Sequence, residues 1–587
     1  MLLGIILLTF VQTGHAGDAL ELAGATTNFA DLSIEQLLDV SVDKVTTASR
    51  YEQRVTQAPA SVSIVTADEI QKLGYRTLAD VLGGVRGFNI TYDRNYHYVG
   101  ARGFGRPGDY NSRVLLLVDG HRINDNIYNQ ASIGTEGLID VDLIDRVEVI
   151  RGPSSSIYGE SAFFGVINVV TKRGHQLNGA EASAEAGSFD TYKGRFTVGK
   201  NFANDLELLL SGTWYDSAGA RRLYYAEFDD PLTNDGLARH SDDDSYQSFF
   251  GSVRWKDFTL SGGYVSREKE IPTASFGSVF NSSLEDTVDE RAYVDLRFDH
   301  DFGESTHLMA RVSYDRYSYY GHYPYYAEGP VINPGLIAVN QDEAIGQWVS
   351  TEWQVTQKLF DRHVLVGGVD YRENFEQTQR NFYYEPGYDN IHIDNSGRNV
   401  GLYSQVEISI LTNLMFNGGL RYDHYDTFGD TLNPRLGLLY SPWQKTTFKL
   451  LYGRAFRAPN VFELYYEAPG SGKSNPDLRP EHIHTYELVY EQYLPANLRF
   501  TASGYYYQID ELISQQVDEL GQIYYSNLDQ AQGKGVELEL EHKSVSGLRA
   551  RASYAFQRTE NSHTGQELSN SPRHLAKFAL IVPVYRD

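Results

Sequence analysis

The stretch RVEVIRGPSSSIYGESAFFGVINVVTKRG, Arg146 to Gly174, divides this chain of 587 residues into two kinds of sequence pattern. Before it, from about residue 45, helix and strand signals alternate at short spacing. After it, from Gly179 onward, the chain shows strands of roughly 10 to 14 residues with alternating polarity. We expect Gly152, Gly159 and Gly165 to serve tight turns and close packing, because no GxGxxG or Walker pattern precedes a helix here.

The domain before the dividing stretch has the local signals of a compact α+β fold. Ser61 to Val65 predicts a strand. Thr66 is followed by Glu69 in the capping-box pattern that starts a helix, and Gly74 is the residue type that ends one. Val114 to Val118 is a continuous apolar run, which predicts a strand buried on both faces.

The part after the dividing stretch alternates in the way a membrane-spanning sheet requires. Within Leu206 to Tyr215, Leu208 and Trp214 point to one side, while Glu207 and Thr213 point to the other. Connections between strands are alternately short and long, which is typical of an outer-membrane barrel. A soluble β-sandwich also alternates, but its strands are shorter and its inner face is the apolar one.

We count roughly 18 strands between residues 179 and 582, whereas barrels that enclose a plug have about 22. The sequence ends at Asp587, just after a strand. Because lipid does not tolerate bare sheet edges, we expect the chain to be a C-terminal truncation of a longer protein.

Composition excludes several classes of protein. The net charge of −26 opposes binding to nucleic acid, and the absence of cysteine removes disulfides and thiolate chemistry. No apolar run after the N-terminus is long enough for a membrane helix. The apolar run Leu2 to Val11, with small residues up to Ala16, predicts a signal peptide of residues 1–16, although no Lys or Arg precedes it.

Arg146 to Gly174 closely resembles the end of the plug domain of TonB-dependent outer-membrane receptors. The segment VLLLVDGHRIND, from Val114 to Asp125, resembles an earlier part of the same plug. Four segments after it are similar to landmarks of the family's barrel: GRAFRAPNVFELY (Gly453 to Tyr465), NPDLRPE (Asn475 to Glu481), GVELE (Gly535 to Glu539) and SPRHLAKF (Ser571 to Phe578). The resemblance covers about residues 45 to 578.

The resemblance implies a transmembrane β-barrel with an N-terminal α+β plug domain in its lumen. The full protein is expected to have about 22 antiparallel strands, of which about 18 are present here. We expect the signal peptide at 1–16, an N-terminal periplasmic segment at 17–44, the plug at 45–174 and the incomplete barrel at 175–587. The implied location is the Gram-negative outer membrane, where a monomer contacts lipid and lipopolysaccharide.

The family's energy partner, TonB, implies a contact segment near the start of the plug. The candidate is KVTTAS, which comprises Lys44, Val45, Thr46, Thr47, Ala48 and Ser49. A β-prone stretch of this kind can add as a strand to a partner's sheet edge. The alternative is that these residues form the first strand of the plug or a linker.

The resemblance also implies a latch between plug arginines and barrel glutamates. The matching positions are Arg102, Arg151, Glu487 and Glu537. Such pairs fix register but add little net stability, because desolvation offsets the attraction. The alternative is that all four are ordinary lumen charges facing water.

Ligand contacts are expected from the plug apices and the long outer loops, which include YYGHYPYY (Tyr319 to Tyr326) and NFYYEPGY (Asn381 to Tyr388). The candidates are Arg94, Tyr96, His97, Tyr98, Tyr128, Tyr319, Tyr320, Tyr323, Tyr325, Tyr383 and Tyr384. Tyrosine offers a flat apolar face and a hydroxyl, which suits a bulky chelate. Tyrosine is also common in barrel girdles, so a purely structural role is the alternative at each position. A bare metal site at His97 and His322 is only weakly indicated, and no metal or cofactor is expected.

The leading hypothesis is an energy-coupled receptor for a ferric siderophore, the commonest ligand class of the family. Cobalamin, haem, other metal chelates and oligosaccharides are alternatives within it. A passive porin and an adhesin or phage-docking protein are alternatives of another class. No grouping of residues indicates an enzyme.

Overall fold

The computed structural model describes residues 44–326, 337–360, 362–383, 387–468, 472–544 and 546–585. The expected signal peptide, residues 17–43 of the expected periplasmic segment, and Tyr384 lie outside the described residues. The helices are α1 (Ala67–Leu73), α2 (Leu78–Gly83), α3 (Ser155–Tyr158), α4 (Gly174–Leu177) and α5 (Val461–Tyr465). Among the described residues, no helix is long and apolar enough to cross a membrane.

The plug is built from nine short strands. They are β1 (Lys44–Val45), β2 (Gln53–Arg54), β3 (Ser61–Thr66), β4 (Phe88–Tyr92), β5 (His97–Ala101), β6 (Val114–Val118), β7 (His121–Arg122), β8 (Ile144–Arg151) and β9 (Gly165–Thr171). Five of them form one sheet in the order β3-β8-β9-β6-β7, in which β6 and β9 are parallel. β1 pairs with β2, and β4 pairs with β5.

Local chemistry sets the ends of these elements. The Glu69 N–H donates to the Thr66 hydroxyl at 3.4 Å, and the Thr66 N–H donates to the Glu69 carboxylate at 3.0 Å, which confirms the predicted capping box. Gly74 ends α1 with φ of 68°. The whole of Val114–Val118 is buried, as predicted. A Cβ on Gly165 would lie 2.2 Å from the carbonyl oxygen of Ile150, so β8 and β9 can approach only at a glycine.

The barrel part is one antiparallel sheet of 18 strands, which confirms the expected number in this chain. Its strands are β10 (Gly179–Gly187), β11 (Thr191–Asn201), β12 (Leu206–Ser217), β15 (Asp244–Trp255), β16 (Phe258–Glu270), β17 (Asp286–Phe302), β18 (Thr306–Tyr326), β19 (Ile337–Leu359), β20 (His363–Tyr383), β21 (Tyr388–Leu411), β22 (Leu414–Tyr425), β23 (Gly429–Trp443), β24 (Thr446–Arg457), β25 (Glu481–Leu494), β26 (Leu498–Val517), β27 (Ile523–Lys543), β28 (Arg549–Asn561) and β29 (His574–Ile581). A side hairpin, β13 (Arg222–Tyr224) and β14 (Leu237–Arg239), lies in the connection after β12. The long connections, such as 218–243 and 458–480, mark the extracellular end, and the short turns mark the periplasmic end.

The two faces of the sheet differ as the alternation predicts. Trp214 is 48% exposed on the outer face, while Ser211 and Thr213 are buried on the inner face. The inner face is not open to water, however, because the plug covers it. The largest buried cluster contains plug residues such as Phe163 together with barrel residues such as Tyr507.

Candidate functional site

The expected TonB-contact segment is docked on the plug. Lys44 and Val45 pair in antiparallel register with Arg54 and Gln53. Val45 and Ala48 are buried among core residues of the plug. In this conformation Lys44 and Val45 therefore form the first strand, β1, and Thr46 to Ser49 form the turn that follows it. The TonB-contact role of the segment stays a prediction.

One buried carboxylate holds the middle of this segment. Glu148 in β8 accepts the backbone N–H groups of Thr46 and Thr47 at 3.2 and 3.0 Å, together with the Thr47 hydroxyl. The Tyr158 hydroxyl donates to the Thr47 carbonyl at 2.8 Å, and the Asn168 amide donates to the Thr47 hydroxyl at 3.1 Å. A partner's sheet edge can pair with Thr47 only after these bonds open.

The two residues after Ser49 tie the chain to the barrel wall at its periplasmic end. Arg50 forms an ion pair with Glu352, donates to the Tyr403 hydroxyl at 2.8 Å and lies 4.6 Å from the ring centre of Tyr158. The Tyr51 hydroxyl donates to a barrel glutamate, Glu407, at 2.6 Å. These two residues therefore link the end of the expected contact segment to the barrel wall.

The four residues expected to form a latch lie together in the lumen. Arg102 donates to Glu487 at 2.6 Å, and its Nε lies 3.8 Å from Glu537. Arg151 Nε lies 3.6 Å from the same Glu537 carboxylate. All four side chains are buried, so they do not face open water. Their role as a latch stays a prediction.

A third plug arginine, missed in the sequence, completes this cluster. Arg86 donates to Glu537 at 3.1 Å, and its Nη1 lies 3.4 Å from Glu539. The only sequence signal is a cation inside the small and apolar stretch VLGGVRGF, which is weak by itself. Burial and the neighbouring Arg86 lower the pKa of Arg151 to about 10. For Arg102, burial lowers the pKa, but Glu487 and Glu537 raise it above its ordinary value.

Barrel cations also hold the plug through its backbone. Lys449 donates to the carbonyl oxygens of Val55 and Ala60 at 2.9 and 3.1 Å. Lys577 donates to the carbonyl oxygens of Gly83, Val85 and Phe88, each at 2.6 Å. These bonds reach backbone carbonyl groups, so they do not depend on the identity of the plug side chains. Lys577 lies inside the quoted landmark SPRHLAKF, but its role was not predicted from the sequence.

At the extracellular end, aromatic side chains from plug and barrel meet. The Tyr128 ring lies 6.2 Å from Tyr317, 6.4 Å from Tyr319, 5.3 Å from Tyr110 and 5.7 Å from Phe462, measured between ring centres. We use the name tyrosine floor for the following set of residues: Tyr96, Tyr110, Tyr128, Tyr317, Tyr319, Tyr323 and Phe462. Sequence reasoning missed Tyr110, Tyr317 and Phe462, although Phe462 lies inside the quoted landmark GRAFRAPNVFELY.

The structure brings most of the other ligand-contact candidates close to this floor. Tyr96 donates to Asp289 at 3.0 Å, and the hydroxyls of Tyr319 and Tyr323 lie 2.5 Å apart. Tyr98 is buried and donates to Asp93 at 2.8 Å, so its hydroxyl is already occupied. Tyr325, Tyr383, Arg94 and His97 are more exposed at the edges of the plug and barrel.

One expectation about the loops is wrong. YYGHYPYY, from Tyr319 to Tyr326, was expected as an outer loop, but it continues β18 and pairs with β19, for example Tyr325 with Ala338. Tyr320 consequently falls on the face opposite to Tyr319 and is not brought to the floor. Tyr383 likewise ends a strand, β20, rather than lying in a loop.

The cations around the floor are engaged by other groups. Arg267 donates to Asp244 at 2.9 Å, Arg113 donates to Glu481 at 2.6 Å, and Arg106 donates to the Ile513 carbonyl at 2.7 Å. Among the described residues, these three guanidinium groups therefore offer no free positive charge to the floor, which presents aromatic faces together with the carboxylate of Asp289.

The histidine candidates do not gather metal ligands. His97 stacks on Tyr92 at 4.3 Å between ring centres, and burial lowers its pKa below the ordinary value although Glu136 raises it. His322 lies 2.7 Å from an oxygen of Asp286. Within the described ranges, no group of three or more His, Asp or Glu side chains is arranged to hold a metal ion.

A plug of α+β structure inside a large antiparallel sheet defines the class of plugged outer-membrane receptors. The sequence model of the TonB-dependent receptor plug domain matches residues 54–166, and that of the TonB dependent receptor-like β-barrel matches residues 234–583. The chain belongs to the TonB-dependent receptor family.

The names of individual relatives refer to different ligands. The vitamin B12 transporter BtuB of Vibrio vulnificus strain YJ016 is 29% identical over 504 residues, which are 84% of this chain and 75% of that protein. The pyoverdine receptor FpvA of Pseudomonas aeruginosa PAO1 superposes with a TM-score of 0.71 at 15% identity, over 92% of this chain and 82% of that one. The siderophore receptor PirA of Acinetobacter baumannii gives 0.69 at 17% identity, over 89% and 84%. These structural likenesses show the fold.

Proposed function

We propose that this receptor imports a bulky metal chelate across the outer membrane with energy delivered by a TonB-type protein. Lys44 to Ser49 is the contact segment in this proposal. It lies at the periplasmic end and precedes Arg50 and Tyr51, which hold the barrel wall. Strand addition by the partner at this segment would compete with β2 and with Glu148 for the same backbone groups.

Work delivered at this segment reaches the plug in a defined order. The bonds to Glu148 open first, then the Arg50 ion pair with Glu352, and the carbonyl contacts of Lys449 come later along the chain. The plug must remain seated until then, because an open lumen would admit toxic solutes. In this account the buried charges at Arg102 and Glu537 provide that hold.

The tyrosine floor is the observation that carries the ligand class. Its rings suit an extended apolar or amide-rich surface. Asp289 accepts a hydrogen bond from Tyr96. The guanidinium groups of Arg106, Arg113 and Arg267 already have partners. A chelate with a large negative charge would meet no free cation among the described floor residues, so we favour one of low net charge. A neutral ferric siderophore fits this description.

A corrinoid is the second candidate. Two curated relatives, 29% and 27% identical, carry the name of vitamin B12 transporter. Cobalamin is bulky, rich in amides and of low net charge, which also suits the floor. A passive porin is disfavoured because the plug packs against the inner face of the sheet.

The test is growth of a strain lacking the receptor and complemented with its gene. Under iron limitation the panel contains a neutral ferric hydroxamate and a trianionic ferric catecholate, and a parallel culture is limited for cobalamin. We expect rescue by the hydroxamate or by cobalamin. Rescue by the catecholate alone, or by none of the three, would refute the ligand class.

A further inference from the structure

A cavity of about 90 Å³ lies between plug and barrel, directly behind the tyrosine floor. Trp348 connects the two, because it packs in the same cluster as Tyr128 and Tyr317 and also lines the cavity. On the periplasmic side, Arg50 and Glu352 line both this cavity and a larger one of about 410 Å³. A solute that leaves the floor along this wall meets the smaller cavity first.

Two guanidinium groups in this cavity have unused donors. Arg372 of β20 is only 9% exposed and has no hydrogen bond or ion pair among the described residues; its guanidinium lies 5.5 Å from the centre of the Trp348 ring. Arg122 of the plug donates through Nη2 to the carbonyl oxygens of Tyr158 and Glu160, at 2.8 and 3.0 Å. Its Nη1 is buried and has no partner in the described part of the chain.

The carboxylates that line the cavity are held by other donors. Both oxygens of Asp370 accept from Arg421, at 2.8 and 2.6 Å. The two oxygens of Glu160 accept from Asn129 at 2.6 Å and from the Tyr425 hydroxyl at 3.2 Å. Glu352, the third carboxylate of the lining, pairs with Arg50 and accepts from the Tyr403 hydroxyl at 3.2 Å. None of the three carboxylates accepts a hydrogen bond from Arg372.

Arginine stays charged in proteins, and a buried charge without a hydrogen-bond partner is costly. Arg122 and Arg372 both line this cavity, and burial together with the nearby Arg372 lowers the pKa of Arg122 to about 10, although Glu160 and Asp370 raise it. An anion between them would relieve both the repulsion and the missing bonds. The cavity has the volume of roughly three water molecules at about 30 Å³ each, which is enough for a small oxyanion.

We propose that Arg122 and Arg372 form a site for a small oxyanion, a phosphate or a carboxylate, inside the plug–barrel interface. Guanidinium groups bind such groups through paired N–H donors. The occupant is either a free ion or an anionic group carried by the imported solute. The second source rests on the import proposed above, whereas binding of a free ion does not.

Trp348 provides a direct reporter for this site. It is buried, whereas Trp214, Trp255, Trp353 and Trp443 are all about half exposed or more. With those four replaced by phenylalanine in the purified receptor, inorganic phosphate is titrated at constant ionic strength and Trp348 emission is recorded. We expect a saturable change that Arg372→Lys retains and Arg372→Gln weakens at least tenfold. Arg398→Gln, at an exposed guanidinium outside the cavity, is the matched control.

Two outcomes would overturn the proposed site. The first is no saturable change of Trp348 emission in the parent protein, which means that water alone fills the cavity. The second is a full change of emission in Arg372→Gln. Arg122→Gln gives an independent test if the first variant does not fold. The source is then identified by uptake of the chelate that restores growth. If Arg372→Gln reduces uptake of the chelate but leaves its surface binding normal, the solute carries the anion. If Arg372→Gln loses the response to phosphate but takes up the chelate normally, the free ion is the occupant.

Discussion

The carboxylate of Glu148 accepts the backbone N–H of Thr47 at 3.0 Å, across 101 residues of chain. Glu148 is fully buried, and its contact places the proposed TonB-contact segment against the plug sheet. The structure therefore shows this segment docked, and the proposed energy coupling would require that the contact open.

Removal of the Glu148 carboxylate should release the segment. In Glu148→Ala the buried N–H of Thr47 loses its acceptor, which costs about 1–3 kcal/mol and shifts the docked population roughly 5- to 150-fold. Because the chain has no cysteine, a spin label at Thr46→Cys reports the motion directly. We expect a mobile spectrum in Glu148→Ala and an immobile one in Glu136→Ala, which removes a buried plug carboxylate elsewhere. Equal mobility in the two variants would contradict the role of Glu148.

The ion pair between Arg50 and Glu352 should act as a second hold on the same segment. Reversal of either charge alone, Arg50→Glu or Glu352→Arg, leaves two like charges side by side. Because breaking a largely buried ion pair costs more than about 1 kcal/mol, the mobile fraction of the spin-labelled segment should increase at least about fivefold. The double reversal should recover much of the loss. Additive effects of the two changes would show that the pair does not couple.

The charge cluster around Glu537 should keep the plug seated. Arg151→Glu places a carboxylate beside Glu537, where Arg151 Nε now lies 3.6 Å away. We expect greater sensitivity of cells to a large hydrophilic antibiotic, whereas Arg151→Lys should preserve the barrier. Arg558→Glu, a half-exposed position, serves as the control. Unchanged permeability in Arg151→Glu, with normal receptor levels, would remove the latch role.

The tyrosine floor should contribute to ligand affinity. Tyr128→Ala removes the ring at the centre of the floor, which lies between Tyr317 and Phe462, and an aromatic contact between this ring and the ligand is worth about 0.5–1.5 kcal/mol. Surface binding of the chelate should weaken roughly 2- to 13-fold, with no change for Tyr192→Ala on the outer face of the barrel. If both variants bind like the parent, the ligand site lies elsewhere.

Local signals in the sequence predicted the local parts of the fold. The capping box of Thr66 and Glu69 depends on residues three apart, and the alternation in β12 depends on a period of two, so both can be read without tertiary information. The family resemblance added the positions of Arg102 and Glu487, which lie 2.6 Å apart in the structure.

Contacts between distant segments could not be read in this way. Arg86 meets Glu537 across 451 residues, and Arg50 meets Tyr403 across 353. The segment YYGHYPYY, which contains Gly321 and Pro324, was expected as a loop, but the pairing of Pro324 with Val339 continues the strand. Tertiary pairing overrode the local turn signal there.

The most direct test of the account is accumulation of the radiolabelled chelate that restores growth, in cells carrying Val45→Pro. Proline removes a backbone N–H from the contact segment and so prevents strand addition by the partner. The account predicts normal surface binding but accumulation no higher than in cells treated with a proton uncoupler, while Val45→Ala accumulates like the parent. Undiminished, energy-dependent accumulation in Val45→Pro would contradict coupling through this segment.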